Sequence, residues 1–220
     1  MNYLELVNDF LVETDYSDQV ASLTNLQEDE LRAAIWVRDA WLQIQRQERW
    51  SFMAREGSLI TIPTQSKYLL SDIGYSGGSL DTVGFLDTNS FRNETTETRM
   101  IRVSYEALRW QKAVGSPKRV AVDPNCSSEI RLSPIPDTLQ LITMNTWYTP
   151  IVLVQDSDVP NLPVQYHKAI VWLAISNYAR EQGGEWRGLR MAAHQEYNQM
   201  YHNLSNYYLP TMGPKVGILG

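Results

Sequence analysis

Apolar residues recur at steps of three and four at both ends of this chain and at steps of two in its middle, which predicts helices flanking a β region. From Tyr3 to Glu13, the positions Leu4, Val7 and Leu11 form one stripe, the mark of a short amphipathic helix with a polar opposite face. A Ser/Thr/Asp-rich link follows. Asn25 or Gln27 then opens a longer helix, with Glu28, Asp29 and Glu30 in its first turn, where the helix dipole favours negative charge. Ala33, Val37, Ala40 and Ile44 succeed one another on one face with Trp41 beside them, a core seam. Trp36 lies about 100° around the axis from Val37, and Leu31, Ile35 and Leu42 fall near its side. A helix apolar on more than one side is either central in its own fold or shared with a neighbouring subunit. The Arg- and Gln-rich stretch from Gln43 to Arg49 reads as a solvated face.

From Gly57 to Tyr148 the helical period gives way to strand signals: SLITIP, KYLL, TRMIRV, KRVAV, EIRLS and LQLITMNTWY, each bounded by Pro, Gly, Asp or Asn. A short helix, SYEALRWQKA, started by Ser104, interrupts them. The strand around Ile130 and Leu132 stops at Pro134 and Pro136, because proline donates no hydrogen bond to a ladder. Along Leu139 to Tyr148, residues Leu139, Leu141, Thr143, Asn145 and Trp147 point one way. Gln140, Ile142, Met144, Thr146 and Tyr148 point the other. Both faces are partly apolar, so this strand is expected to be central. The stretch from about Ser71 to Thr98 combines Gly, Ser, Thr and Asn with three isolated aromatics, Tyr75, Phe85 and Phe91, and reads either as an exposed loop or hairpin that orders on contact or as a plain mobile loop.

The helical period returns after Pro163, which can begin a helix without losing a bond. Between Tyr166 and Tyr178 nearly every direction around the axis is apolar, with Ile170, Val171, Trp172, Leu173 and Ile175 close together, so this helix is expected to be the most buried. Gly183 and Gly184 end it. A second helix carries Trp186, Leu189, Ala193, Tyr197, Met200, Leu204 and Tyr208, and packs back as a helical hairpin. Pro210, Gly213 and Pro214 make the rest a non-helical tail, in which Val216, Ile218 and Leu219 are apolar and suited to docking on a partner. The predicted fold is α+β. An antiparallel helical bundle comes from residues 1–56 and 156–209, a mainly antiparallel β insertion from 57–155 with an exposed loop at 71–98, and a flexible tail from 210–220.

Composition narrows the function more than the fold. Hydrophobic content of 43% with 20% charged residues is that of a globular chain. No apolar run approaches the roughly 18 residues that cross a bilayer, and the start lacks a signal-peptide layout, so no membrane partner and synthesis in a cytoplasm are expected. A lone Cys126 can form neither an internal disulfide nor a thiolate metal site. The formal net charge of -6 argues against gripping nucleic acid through its phosphates.

Local chemical motifs fail one after another. His194 and Glu196 form an H-x-E pair, but the zinc deaminase pattern needs a downstream P-C-x-x-C that one cysteine cannot supply. His194 and His202 are eight residues apart, not the four of a zincin helix. Gly77 and Gly78 are followed by no GK[ST], and no G-x-S-x-G elbow is present. His167 reads as structural or as part of a subunit contact, within reach of a carbonyl or Asp158. Asp156 and Asp158 beside a proline read as a turn. The expectation is a non-enzyme with no catalytic residue, cofactor or metal.

What remains is an order of parts. The run EIRLSPIPD, LQLITMNTWYTP, an acidic VQDSDVP hinge and the helix NLPVQYHKAIVWLAISNYAR resembles the head-to-tail connector proteins of tailed bacteriophages, in particular the adaptors beneath the portal ring. NLQEDELRAAIWVRDAWLQIQRQERWSFM, with its Ala-Trp, Gln-Ile-Gln and closing Trp, is similar to that family's second helix, and MNYLELVNDFLVET to its short opening helix.

The resemblance implies a structural virion protein, made in the host cytoplasm and placed at the head-tail interface. It implies a helical bundle docked to the portal ring, a β module facing the tail or nozzle proteins, and self-association as a ring of about twelve copies following portal symmetry. Genomic DNA would pass through the lumen without sequence-specific binding. The expected contact residues are Trp36 and Trp41 for subunit or core packing, Tyr75, Phe85 and Phe91 for the tail side, and Val216, Ile218 and Leu219 for docking. The alternatives are a neighbouring head-closure or tail protein, and a small cytoplasmic hydrolase with an unrecognised site.

Overall fold

The structure, a computed structural model, describes residues 1–15, 18–75, 83–123 and 129–209. In chain order the elements are helices α1 (Tyr3–Thr14) and α2 (Glu28–Gln47), strands β1 (Ala54–Ile60), β2 (Lys67–Leu69), β3 (Gly74–Tyr75), β4 (Val83–Leu86), β5 (Arg92–Asn93), β6 (Thr98–Arg99) and β7 (Ile101–Arg102), helix α3 (Tyr105–Arg109), strands β8 (Arg119–Val122), β9 (Glu129–Ser133) and β10 (Leu141–Tyr148), and helices α4 (His167–Gln182) and α5 (Arg187–Tyr208). The fold is α+β, and it divides into a helical unit, Met1–Met53 with Pro150–Gly220, and a sheet unit, Ala54–Thr149.

Local signals explain where the helices of the first unit begin. Asn2 caps α1 through its side-chain oxygen, 2.9 Å from the Glu5 amide, while the Glu5 carboxylate accepts from the Asn2 amide at 3.0 Å. The Gln27 amide donates in the same way to the Glu30 carboxylate at 2.8 Å, opening α2. A single 3-10 turn, Val164–Tyr166, leads from Pro163 into α4, and Gly183 ends α4 with a φ of 90° that a residue with a Cβ adopts only under strain.

Helix α4 is the axis of the helical unit and packs against α1, α2 and α5. Its buried positions include Ala169, Ile170, Val171, Leu173, Ala174, Ile175 and Tyr178, which leaves no wholly polar face. Each large apolar side chain sealed here contributes about 1.5–3 kcal/mol. Around α4 close Leu6, Val7, Phe10 and Leu11 from α1, the α2 seam Ala33, Val37, Ala40, Trp41 and Ile44, and Ala193, Tyr197 and Leu204 from α5. Phe10 meets Tyr178 edge-on, their centroids 5.7 Å apart.

The segment between β10 and α4 ties the unit's two chain halves together. The first-turn amides of α1, which no helix can satisfy internally, donate to this segment: Tyr3 to the Asp158 carbonyl at 2.8 Å and Leu4 to the Asp156 carbonyl at 3.2 Å. The Gln45 side chain accepts from the Ile151 amide at 2.8 Å and donates to its carbonyl at 3.0 Å, so one amide group replaces a strand neighbour.

The sheet unit is built from two sheets. In the first, the order is β3-β1-β10-β5-β6, and β4 also pairs with β10. The long antiparallel pair β1 and β10 runs in register from Ala54 opposite Trp147 to Ile60 opposite Leu141. β10 is central, as its pattern predicts, and Ile142, Met144 and Thr146 on one face are buried. The second sheet has the order β2-β9-β8-β7, antiparallel except for β7 beside β8. One core cluster draws on both sheets: Leu59, Phe91, Ile142 and Met144 from the side of the first, and Tyr68, Val120, Ile130 and Leu132 from the second.

The stretch 71–98, read from composition as an exposed loop or hairpin, carries β3, β4, β5 and the start of β6 among its described residues. Short strands are stabilised there by pairing with β1 and β10, and β4 adds its own apolar residues, Phe85 against Trp147 and Leu86 against the core cluster.

Candidate partner-binding surfaces

Helix α2 presents two different faces. Its seam is sealed, and Trp41 is fully buried with its indole N–H lacking a hydrogen-bond partner among the described residues. On the other side Leu31 is 50% exposed, Ile35 is 36% exposed and Trp36 is half-buried. One apolar face of α2 is therefore sealed and the other is left partly open. Trp36 and Trp41, paired in the sequence reading, fall one on each.

The three loop aromatics are not brought together. Tyr75 lies in β3, whose backbone pairs with Gly57 of β1. Phe85 lies in β4 opposite Trp147, 37% exposed, with its ring edge-on to the indole at 5.7 Å. Gly84 beside it has no room for a side chain, since a Cβ there would stand 3.0 Å from the Thr149 backbone. Phe91 is fully buried in the core of the sheet unit, so its ring packs that core and offers no surface. Val216, Ile218 and Leu219 lie outside the described residues.

Two exposed apolar groups escaped the sequence reading. Ile60 and Leu141 sit opposite each other at one end of the β1 and β10 pair, and Ile62 and Leu139 follow on the same side, all four exposed. In the helical unit, Val152, Val154, Val159 and Val164 are exposed along the segment leading to α4. A run of apolar residues broken by Asp156, Asp158 and Pro160 reads as a turn, and its lack of period hides which side chains face out.

The titratable groups are occupied with holding the fold. Asp156 accepts from the Ser22 hydroxyl at 2.7 Å and from the Leu23 amide at 3.1 Å. Asp158 accepts from the Val154 and Gln155 amides at 2.7 and 2.8 Å, and these bonds hold its carboxyl below the usual range. His167 is fully buried, with Nε2 at 2.8 Å from the Leu162 carbonyl, and burial pushes its imidazole below the ordinary value. In the sheet unit, Glu129 accepts from the Tyr105 hydroxyl and pairs with Lys67 at 3.1 Å, and Arg131 lies over the Tyr105 ring. The hydrogen bond from Tyr105 lowers the Glu129 carboxyl and raises the tyrosine.

His194 and His202 are exposed on α5, and among the described residues no group of three His, Cys, Asp or Glu side chains is placed to hold a metal. No helix among them is long and apolar enough to cross a membrane. The prominent features of the described residues are thus uncovered apolar surfaces, while the polar side chains best placed for chemistry are committed to turns and helix ends.

No curated protein matches the chain. The family model of the SU10 adaptor protein matches residues 1–210, nearly the whole length and every described helix and strand. With its bundle, its inserted sheets and its partly uncovered second helix, this chain belongs to the SU10 adaptor protein family.

Proposed function

We propose that this phage structural adaptor binds as a ring beneath the portal, extends the DNA channel and offers an attachment surface to tail components. The observation that carries the ring is the second face of α2. Leu31, Ile35 and Trp36 form an apolar strip that the chain's own bundle leaves partly open, as a helix shared between neighbouring subunits would. Trp41 belongs to the core of each copy. Portal docking falls to Val216, Ile218 and Leu219, and contact with tail or nozzle proteins to Tyr75 and Phe85. A ring of about twelve copies follows from portal symmetry. An acidic chain lining a conduit repels the DNA backbone, so genomic DNA passes without sequence-specific binding.

The test is the native mass of the chain alone and after mixing with the portal ring. A monomer near 25.3 kDa that joins the portal in a fixed multiple is the expected result. Leu31→Ser with Ile35→Ser should still bind the portal but in a broken, sub-stoichiometric series. No association of the wild-type chain with the portal would send the reading to a head-closure or tail component.

A further inference from the structure

Strand register arranges the outward face of the first sheet in rows. Ala54, Trp147 and Phe85 lie side by side in one row. In the next, Glu56 stands opposite Asn145, and the Asp87 amide donates to the Asn145 carbonyl from the other side at 3.0 Å. Ser58, Thr143, Arg92 and Arg99 make the third. The alternate residues Leu59, Leu86, Ile142 and Met144 of the same strands pack in or against the core, so these rows look away from it.

Over the second and third rows lies an open hollow of about 460 Å³ whose lining is wholly polar. Two carboxylates, Asp87 and Glu97, share it with two guanidiniums, Arg92 and Arg99, so the lining is neutral as a whole. Its walls are braced from behind. The Asp87 carboxylate accepts from the Asn89 amide at 2.9 Å, the Arg99 guanidinium donates to the Asn89 carbonyl at 3.1 Å, and the Asn145 amide donates to the Ser90 hydroxyl at 2.7 Å. The side chains of Asn89, Glu97 and Asn145 are exposed and have no hydrogen-bond partner among the described residues. Glu97 presents its carboxylate from a φ of 53°, a left-handed conformation that glycine would adopt without strain.

We propose that this hollow is a binding site for a neutral saccharide, one sugar ring held among Asp87, Glu97, Asn89 and Asn145 and the next packed against Phe85 and Trp147. The ligand class follows from the lining. Vicinal hydroxyls donate to a carboxylate and accept from an amide or guanidinium, and the hollow offers both kinds of group in balance. A charged ligand would be repelled by one pair of like charges as much as it is attracted by the other. A protein contact is built around an apolar and aromatic centre depleted of charge, which the hollow lacks. Asn145 and Trp147 are same-face neighbours on β10, about 7 Å apart, a spacing that two linked sugar rings span. The ring of Phe85, 37% exposed, offers an apolar surface to the C–H face of the second sugar.

The site lies within the sheet unit and goes beyond the adaptor reading, so neither the ring nor the portal is needed to test it. The purified chain is screened on an array of neutral and acidic oligosaccharides, and the strongest neutral binder is titrated by calorimetry. At least one neutral glycan should bind. Its affinity should fall about tenfold or more in Glu97→Gln with Asn145→Ala, and by a smaller factor in Phe85→Ala. Thermal unfolding of the double variant should match the wild type, because both side chains are exposed and uncommitted; if it does not, Asn89→Ala gives the same readout. An array without neutral binders overturns the site, and so does a preference for acidic glycans or binding that the double variant leaves unchanged. Loss of tail-component binding in the double variant, with no glycan bound by the wild type, overturns it as well and assigns the hollow to a protein contact.

Discussion

The helical unit and the sheet unit solve the problem of burying a core in opposite ways. The first wraps three helices around α4, so its apolar residues converge on one element and its loops are closed by Gln45, Asp156 and Asp158. The second divides its core between two sheets whose outer strands are two or three residues long, and its stability is spread over many pairings. The difference teaches where each tolerates change: the helical unit at its uncovered faces, and the sheet unit at its short edges.

The sharpest way to break this comparison is to empty each core in turn. Trp41→Ala in the helical unit and Phe91→Ala in the sheet unit should each cost about 3–5 kcal/mol in denaturant unfolding, since both side chains are fully buried. If the Phe91 variant lost almost nothing, its assignment to the core would be wrong. Next comes the turn that closes α1 against the rest of the bundle. Asp156→Ala leaves the Leu23 amide and the Ser22 hydroxyl without their acceptor and should cost about 1–3 kcal/mol, with the loss in the helical unit.

A pH titration gives a smaller effect confined to one unit. The imidazole of His167 is depressed by burial in the fold, so the unfolded chain takes up its proton first as the pH falls past 6.5. The stability it contributes is present above that value and declines as the pH drops further, toward the depressed folded pKa. His167→Gln should flatten this slope between about pH 7 and 5, and an unchanged slope would assign it to other groups. The smallest effect is expected at Phe85→Ala, below about 1 kcal/mol because the ring is partly exposed in a short strand, while binding of tail components should weaken.

These elements also show what a single sequence reveals. The helices are legible because their signals are local: the acidic first turn of α2, Pro163 before α4 and Gly183 after it each act within one turn of chain. The central place of β10 is legible too, since its alternation continues over eight residues. Pairing is not. That β7 lies parallel to β8, or that β4 joins β10, depends on contacts between distant residues that leave no mark on either strand. Phe91 was misread for the same reason, because β5 is too short to display a period and its neighbours Asn89, Ser90, Asn93 and Thr95 look like loop. Among the surfaces, the second face of α2 is visible as an extra apolar direction.

The register of β1 with β10 has a bearing on how the bundle holds together. The chain leaves the helical unit into Ala54 and returns after Tyr148, and Ala54 is paired with Trp147. Once these strands zip, an excursion of roughly 100 residues behaves as a short connection, which removes about 2–3 kcal/mol of loop-closure entropy from the joining of α1 and α2 to α4 and α5. The sheet unit therefore acts as a clasp. Its loops can lengthen, shorten or be exchanged for another design without rethreading the bundle, provided that the two strands at its base stay paired.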